Sequence, residues 1–255
     1  MSEGGSLARL PRQDGRAPSD LRDFEIRINP LPQAEGSAQI RQGLTEVICT
    51  ASVEERVPPF RRGSGQGWLT AEYRMLPRAT DRRSSRDASR PDGRSVEIQR
   101  LIGRSLRSAV EFSRLGERTV FVDCDVIRAD GGTRTAAITG GMVAVALAVE
   151  DLRQRRKVGP EVLSTLITAV SVGSVDGALL LDLDYSEDSR AEVDMNVVMD
   201  SMGRIVESQS SAERRAIDRG EHTAMLDLAE LGIRRLLAAQ KQVLAPLEMD
   251  DWAST

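Results

Sequence analysis

A helix that is apolar almost all the way round is stable only inside a protein, and this chain carries one. From about Ala136 to Arg155 it reads AAITGGMVAVALAVEDLRQR, and polar residues accumulate only in the last turns. The first turns therefore have to be buried. The residues that open this helix, ADGGTRT (129–135), are equally informative. Two glycines allow a tight turn, and the first turn of a helix leaves its N–H groups unpaired and partly positive. Arg134 adds a planar fork matched to phosphate, and Thr133 and Thr135 add hydroxyls. The same order suits an ordinary helix start after a turn. The arginine between two threonines favours an anion cradle.

At 255 residues the chain is long enough for one large domain or two small ones. The net charge of −4 does not by itself announce nucleic acid. Basic residues are almost all arginine, with Lys157 and Lys241 the only lysines. Cys49 and Cys124 lie in expected strands without metal-like spacing, which reads as buried, reduced and cytoplasmic. His222 is the single histidine, so a histidine metal cluster is excluded. It stands in a polar segment, where a surface position is expected. No apolar run suits a signal peptide or a membrane span, so a soluble protein with no membrane partner is expected.

The periodicity predicts a mixed α/β (α+β) class. Phe24, Ile26 and Ile28 alternate with polar residues as a half-buried strand. Residues 38–41, 45–53 and 120–127 read as further strands. A helix has Ile98, Leu101, Ile102, Leu106 and Val110 on one face. A β-rich stretch follows over 164–209, and an amphipathic helix runs from Leu226 to Leu244. The expected organisation is a loose N-terminal arm over 1–20, a single domain over 21–246 and a frayed acidic tail over 247–255. GSGQG (63–67) is too short and unsupported to be a dinucleotide fingerprint.

Two further groups of residues carry chemistry. Arg78, Arg82, Arg83, Arg86, Arg90 and Arg94 crowd one loop, and the polar stretch 79–95 is expected to be mobile. That loop suits a partner with a phosphate backbone, although a solvated charged loop has the same composition. In DLDYSEDSRAEVDMN, Asp182, Asp184, Asp188 and Asp194 are separated by even intervals. In regular extended structure they share one face, where acids repel unless a cation or a proton relieves them. Such oxygen sites suit Mg²⁺ together with substrate phosphates. A solvent-facing acidic edge is the alternative.

Cradle, arginine loop and carboxylates together point to phosphoryl or nucleotidyl chemistry. The chain resembles the ribonuclease PH family, bacterial phosphate-dependent 3′→5′ exoribonucleases also called tRNA nucleotidyltransferases. The likeness runs through DGR at Asp14, AEGSAQI, VICTASVEE, GSGQGWLTAEYRMLPRAT, EIQRLIGRSLR, DCDVIRADGGTRTAAITG, AVSVG, YSEDSRAEVDMNVVM and LDLAELGI. Polynucleotide phosphorylase core units and exosome ring subunits are similar too. The resemblance implies the ribonuclease PH-type fold and release of nucleoside 5′-diphosphates from RNA 3′ ends, those of tRNA precursors first and ribosomal RNA second. It implies phosphate binding by Arg94, Gly132, Thr133 and Arg134. It implies catalytic Asp188 and Asp194, which are also the candidate metal ligands, and RNA binding by Arg78, Arg82, Arg83 and Arg86. Inorganic phosphate as co-substrate, Mg²⁺ as metal, and a homohexamer built as a trimer of dimers are further expectations.

The chain departs from the family pattern at three places. Arg74 stands where a small residue is usual, and the arginine loop is shorter. In VESQSSAERR, Ser210, Ser211 and Arg214 replace the family's glycine-bearing VEVQGTAEG. The rival reading is a non-catalytic RNA-binding subunit of an exosome-like ring, and intact Arg94, Arg134, Asp188 and Asp194 speak against it.

Overall fold

The computed structural model describes residues 12–85 and 93–247. β1 (Phe24–Ile28), β2 (Gly36–Gln42), β3 (Thr45–Glu54), β4 (Trp68–Met75) and β5 (Thr119–Arg128) form one sheet, ordered β1-β2-β3-β5-β4. Its pairs are antiparallel except β4 with β5. A parallel pair needs a long crossover, and α1 (Gly93–Arg107) with the one-turn α2 (Phe112–Leu115) lies on that path. α3 (Thr133–Gln154) follows. β6 (Ile167–Val175), β7 (Ala178–Leu181), β8 (Val193–Asp200) and β9 (Ile205–Ala212) form an antiparallel second sheet, ordered β7-β6-β8-β9. The one-turn α4 (Tyr185–Asp188) interrupts it between β7 and β8, and α5 (Arg219–Leu244) comes last.

The layers run sheet, helix, sheet, helix. Val47, Cys49 and Ala51 of β3 and Val122, Cys124 and Val126 of β5 turn inward towards α3. α3 also packs against β6, so it is enclosed as its composition demands. All nine residues of β6 are buried. One face of β6 meets α3, and on the other Val170 and Val172 join Met225, Ala229, Ile233 and Leu236 of α5. That spacing of α5 puts its apolar residues on one stripe. Each large aliphatic side chain buried this way contributes about 1.5–3 kcal/mol. Among the described residues one helix is long and apolar enough to cross a membrane, Thr133–Gln154, and 94% of its most apolar window is buried in the fold.

The mixed class and the strands at 24–28, 38–41, 45–53 and 120–127 agree with the sequence reading. Cys49 and Cys124 are free, buried and directly opposite each other. Three expectations need correction. Residues 1–11 and 248–255 lie outside the described residues, but the arm is not loose from Arg12 onward. Arg12 is buried, and its guanidinium donates to Glu187 at 2.7 Å and to the Leu181 carbonyl at 2.9 Å. Nothing in local composition signals such a distant partner. The last helix starts at Arg219, where Asp218 caps it by accepting from the Glu221 N–H, and His222 sits half-buried in its first turn. The third correction concerns the acids between β7 and β8.

Candidate active site

The turn before α3 adopts the conformation its glycines allow. Gly131 and Gly132 have φ of 73° and 65°, the left-handed region. A Cβ on Gly131 would lie 2.5 Å from the Leu183 carbonyl oxygen, so only glycine lets this turn touch the acid-bearing loop. Thr135 donates to the Gly132 carbonyl at 2.9 Å, and Tyr73 donates its hydroxyl to Thr133 Oγ1 at 2.8 Å. Burial pushes the Tyr73 phenol above its usual range, so it stays protonated and a donor. Thr45 braces the turn from β3, donating to the Gly131 carbonyl at 2.6 Å.

The acid segment does not stay extended, so its four aspartates do not share a face. Asp182 has φ of 55° and is fully buried. Arg22 grips its carboxylate with Nε at 3.1 Å and a terminal nitrogen at 2.7 Å, and also donates to the Asp130 carbonyl. Asp184 caps α4, accepting from the Glu187 N–H at 2.9 Å, while Glu187 accepts from the Asp184 N–H at 3.1 Å. These two acids are framework. The turn at Asp182 and the helical turn after it reset the period, and they bring Asp188, the last residue of α4, against Asp194 on β8.

Those two carboxylates meet the anion turn in one cavity of about 270 Å³. Arg94, Gly131, Gly132, Thr133, Arg134, Asp188 and Asp194 line it, with Tyr185 and Asn196. Larger cavities, of about 720 and 470 Å³, lie elsewhere and contain neither Arg134 nor Asp194. Arg94 sits in the first turn of α1, not in a loop. Asp188 keeps a face open to solvent. Loss of water on its cavity side is still the largest influence and pushes its carboxyl up, against the opposing pull of Arg134 and Arg94. Asp194 is also raised, first by desolvation and next by the charge of Asp188, with Arg134 opposing and Glu213 adding to the rise. Neither carboxylate forms an ion pair among the described residues, whereas Asp182 and Glu187 do.

Two mutually repelling carboxylates fit a divalent cation, which would relieve both. No group of three or more His, Cys, Asp or Glu donors gathers among the described residues, so the protein alone forms no closed cage. Mg²⁺, which keeps waters and takes substrate phosphates alongside one or two carboxylates, suits such a partial site.

Residues 20–149 match the 3′ exoribonuclease family, domain 1, and residues 165–231 match domain 2 of the same family. The chain belongs to the 3′ exoribonuclease family. The first match covers the first sheet with α1 and α3, and the second covers the second sheet with α4 and the start of α5. The chain is 55% identical over 238 residues to a ribonuclease PH of Moorella thermoacetica, covering 92% of this chain and 95% of that protein. It is 52% identical over 239 residues to a ribonuclease PH of Bacillus mycoides, covering 92% and 98%. Among solved structures it is similar in fold to rice Rrp46, with TM-score 0.75 and 19% identity over 91% of this chain and 100% of that one. It is likewise similar to an Archaeoglobus fulgidus exosome with RNA bound to the active site, with TM-score 0.74 and 23% identity over 89% and 91%.

The cavity thus lies between residues matched by the two family domains. Met75 and Thr80, at the end of β4 and just beyond it, line the cavity. The Ala129 N–H donates to the Ala79 carbonyl at 2.8 Å, which pins this segment beside the anion turn. Arg78, Arg82 and Arg83 flank Thr80 in sequence and are exposed, without ion pairs among the described residues. Arg86 and Arg90 lie outside the described residues. Sequence reasoning missed Tyr73, although AEYRML contains it, and missed Arg22, which no periodicity marks.

Proposed function

We propose a division of labour in which the anion turn holds phosphate, the arginine loop holds RNA, and Asp188 with Asp194 serve the reacting bond. The chain is a phosphorolytic 3′→5′ exoribonuclease. The observation that carries the residue assignment is the single cavity that unites Arg94 and Arg134, a positive helix start and two carboxylates, none of the four side chains in an ion pair among the described residues. An oxygen of inorganic phosphate attacks the last phosphodiester phosphorus. The bond from that phosphorus to the 3′ oxygen of the preceding nucleotide breaks, a nucleoside 5′-diphosphate leaves, and the new RNA end takes a proton. Two anions have to approach, so Arg94, Arg134 and the N–H groups of the first turn of α3 offset their repulsion and set the angle of attack. Desolvation raises the carboxyls of both Asp188 and Asp194, which suits one of them to donate a proton to the leaving oxygen when it does not hold a cation. Mg²⁺ held by the same pair would supply charge stabilisation on the phosphoryl oxygens.

Tyr73 acts by fixing Thr133, and Arg22 by bracing Asp130 and Asp182. Transfer RNA precursors as substrates, with ribosomal RNA second, a homohexameric ring of three dimers and a cytoplasmic location complete the reading, supported by the relatives named ribonuclease PH and by the likeness to exosome ring structures. The test is incubation of the chain with a short RNA and Mg²⁺, with and without orthophosphate. Nucleoside diphosphates that appear only with phosphate are expected. Monophosphates released at equal rate without it mean hydrolysis and overturn the reading. Light scattering checks the ring, which an active monomer would refute.

A further inference from the structure

The cavity has a second lobe, of about 320 Å³, that the scheme above leaves unused. It shares Arg94, Arg134, Asp188 and Asp194 with the first lobe. The walls unique to the first lobe include Met75, Thr80 and Tyr185, the side from which the arginine loop approaches. The second lobe is walled instead by Ser189 and Ala191, which follow α4, and by Glu213 and Arg214, which follow β9. No aromatic or large aliphatic side chain lines it, so nothing there stacks on a base. Arg94, Arg134 and Arg214 line it together with Asp188, Asp194 and Glu213, and the three guanidinium groups suit a small tetrahedral anion.

Arg214 and Arg215 are consecutive, and only one of them is neutralised. Arg215 pairs with Glu192 at 2.6 Å and with Glu221 at 2.5 Å. Arg214 makes no ion pair among the described residues. Its backbone N–H donates to the Glu192 carbonyl at 3.2 Å, and one guanidinium nitrogen donates to the Ser189 carbonyl at 3.3 Å. Those bonds hold the guanidinium at the Ser189 carbonyl, in the lining of the second lobe, with no carboxylate partner among the described residues. This is also the segment where the sequence departs from the family, with an arginine in place of a glycine.

We infer that Arg214 is a third phosphate-binding arginine, which forms with Arg94 and Arg134 a subsite for the free phosphate. In degradation the occupant is orthophosphate, and in the reverse reaction it is the β-phosphate of a nucleoside diphosphate. Arg94 and Arg134 line both lobes, so the phosphate held at the anion turn is met by Arg214 from the side of the second lobe. This rests on the phosphorolytic reading.

The experiment compares wild type, Arg214→Gly, Arg214→Gln and Arg214→Lys in both directions. The KM for orthophosphate and for nucleoside diphosphate rises about 3- to 10-fold in the Gly and Gln variants, the range for one charged hydrogen bond at a solvent-open site. The Lys variant recovers part of that loss, and the KM for RNA does not move. Without RNA, the rise in Tm produced by orthophosphate shrinks in Arg214→Gly, a readout independent of turnover. Unchanged phosphate KM in all three variants overturns the inference. So does a change confined to RNA KM and its salt dependence, which would assign Arg214 to RNA. A wild type that releases monophosphates without phosphate sinks the phosphorolytic reading instead, so the two failures are distinguishable.

Discussion

Two pairs of aspartates from one short stretch of sequence have opposite fates. Asp182 and Asp184 are consumed by the protein, one in a buried ion pair with Arg22, the other as the cap of α4. Asp188 and Asp194 have no such partner among the described residues and face the cavity with raised carboxyls. The arginines divide the same way: Arg12 and Arg22 are bound to Glu187 and Asp182, while Arg94 and Arg134 remain available. A charge with its own buried partner fixes geometry, because the pair's attraction offsets its desolvation only in that geometry. A charge left without one is held ready for a ligand.

The largest test of that contrast is Asp194→Asn. Turnover should fall about 10²- to 10⁴-fold while RNA binding persists. The same variant should melt slightly higher at neutral pH. A carboxyl raised in the folded state destabilises it at pH above the folded value and has no effect below the unfolded one, so the gain should vanish in acid. Near-full turnover in this variant breaks the division. Asp182→Ala should do the reverse, lowering stability by about 3–5 kcal/mol because Arg22 is left buried and unpaired. Denaturant unfolding checks it, and a loss below about 1 kcal/mol would mean that water replaces the carboxylate. Arg134→Ala should raise the KM for orthophosphate about 10- to 150-fold with little change in melting temperature. A large drop in melting temperature would move Arg134 to the framework side.

How far the sequence foretold this contrast depends on range. The anion turn was legible because its signals are local: glycines that permit positive φ, an arginine between threonines and an enclosed helix behind them. The acids were legible as a set but not in their roles. Even spacing implies one face only in extended chain, and the left-handed Asp182 and the turn of α4 break that regularity. Arg22 and Arg12 could not be read, since each finds its acid across more than half of the chain. The arginines of the loop were legible from composition, and Arg78, Arg82 and Arg83 are exposed. Replacing Arg78 and Arg83 by Ala should flatten the salt dependence of RNA affinity by about one to two units, since each phosphate neutralised on a single strand contributes about 0.7. An unchanged slope would make the loop only a solvated surface.

The smallest effect sharpens the pair itself. Glu213 adds to the rise of the Asp194 carboxyl. Glu213→Gln should therefore move the limb of the turnover profile set by Asp194 to lower pH, by less than about one unit. A shift to higher pH would show that Glu213 acts through something other than its charge.

The ion pair of Arg22 with Asp182 spans 160 positions of the chain. A ribosome adding about 5–20 residues per second makes the cation roughly 8–30 seconds before its anion emerges. The carbonyl of Asp130 follows Arg22 by 108 positions and can be met first, but until Asp182 emerges nothing ties the turn to the acid loop. A nuclease whose own message lies within reach is thus born in halves, and its cutting centre closes only as synthesis of the second sheet ends.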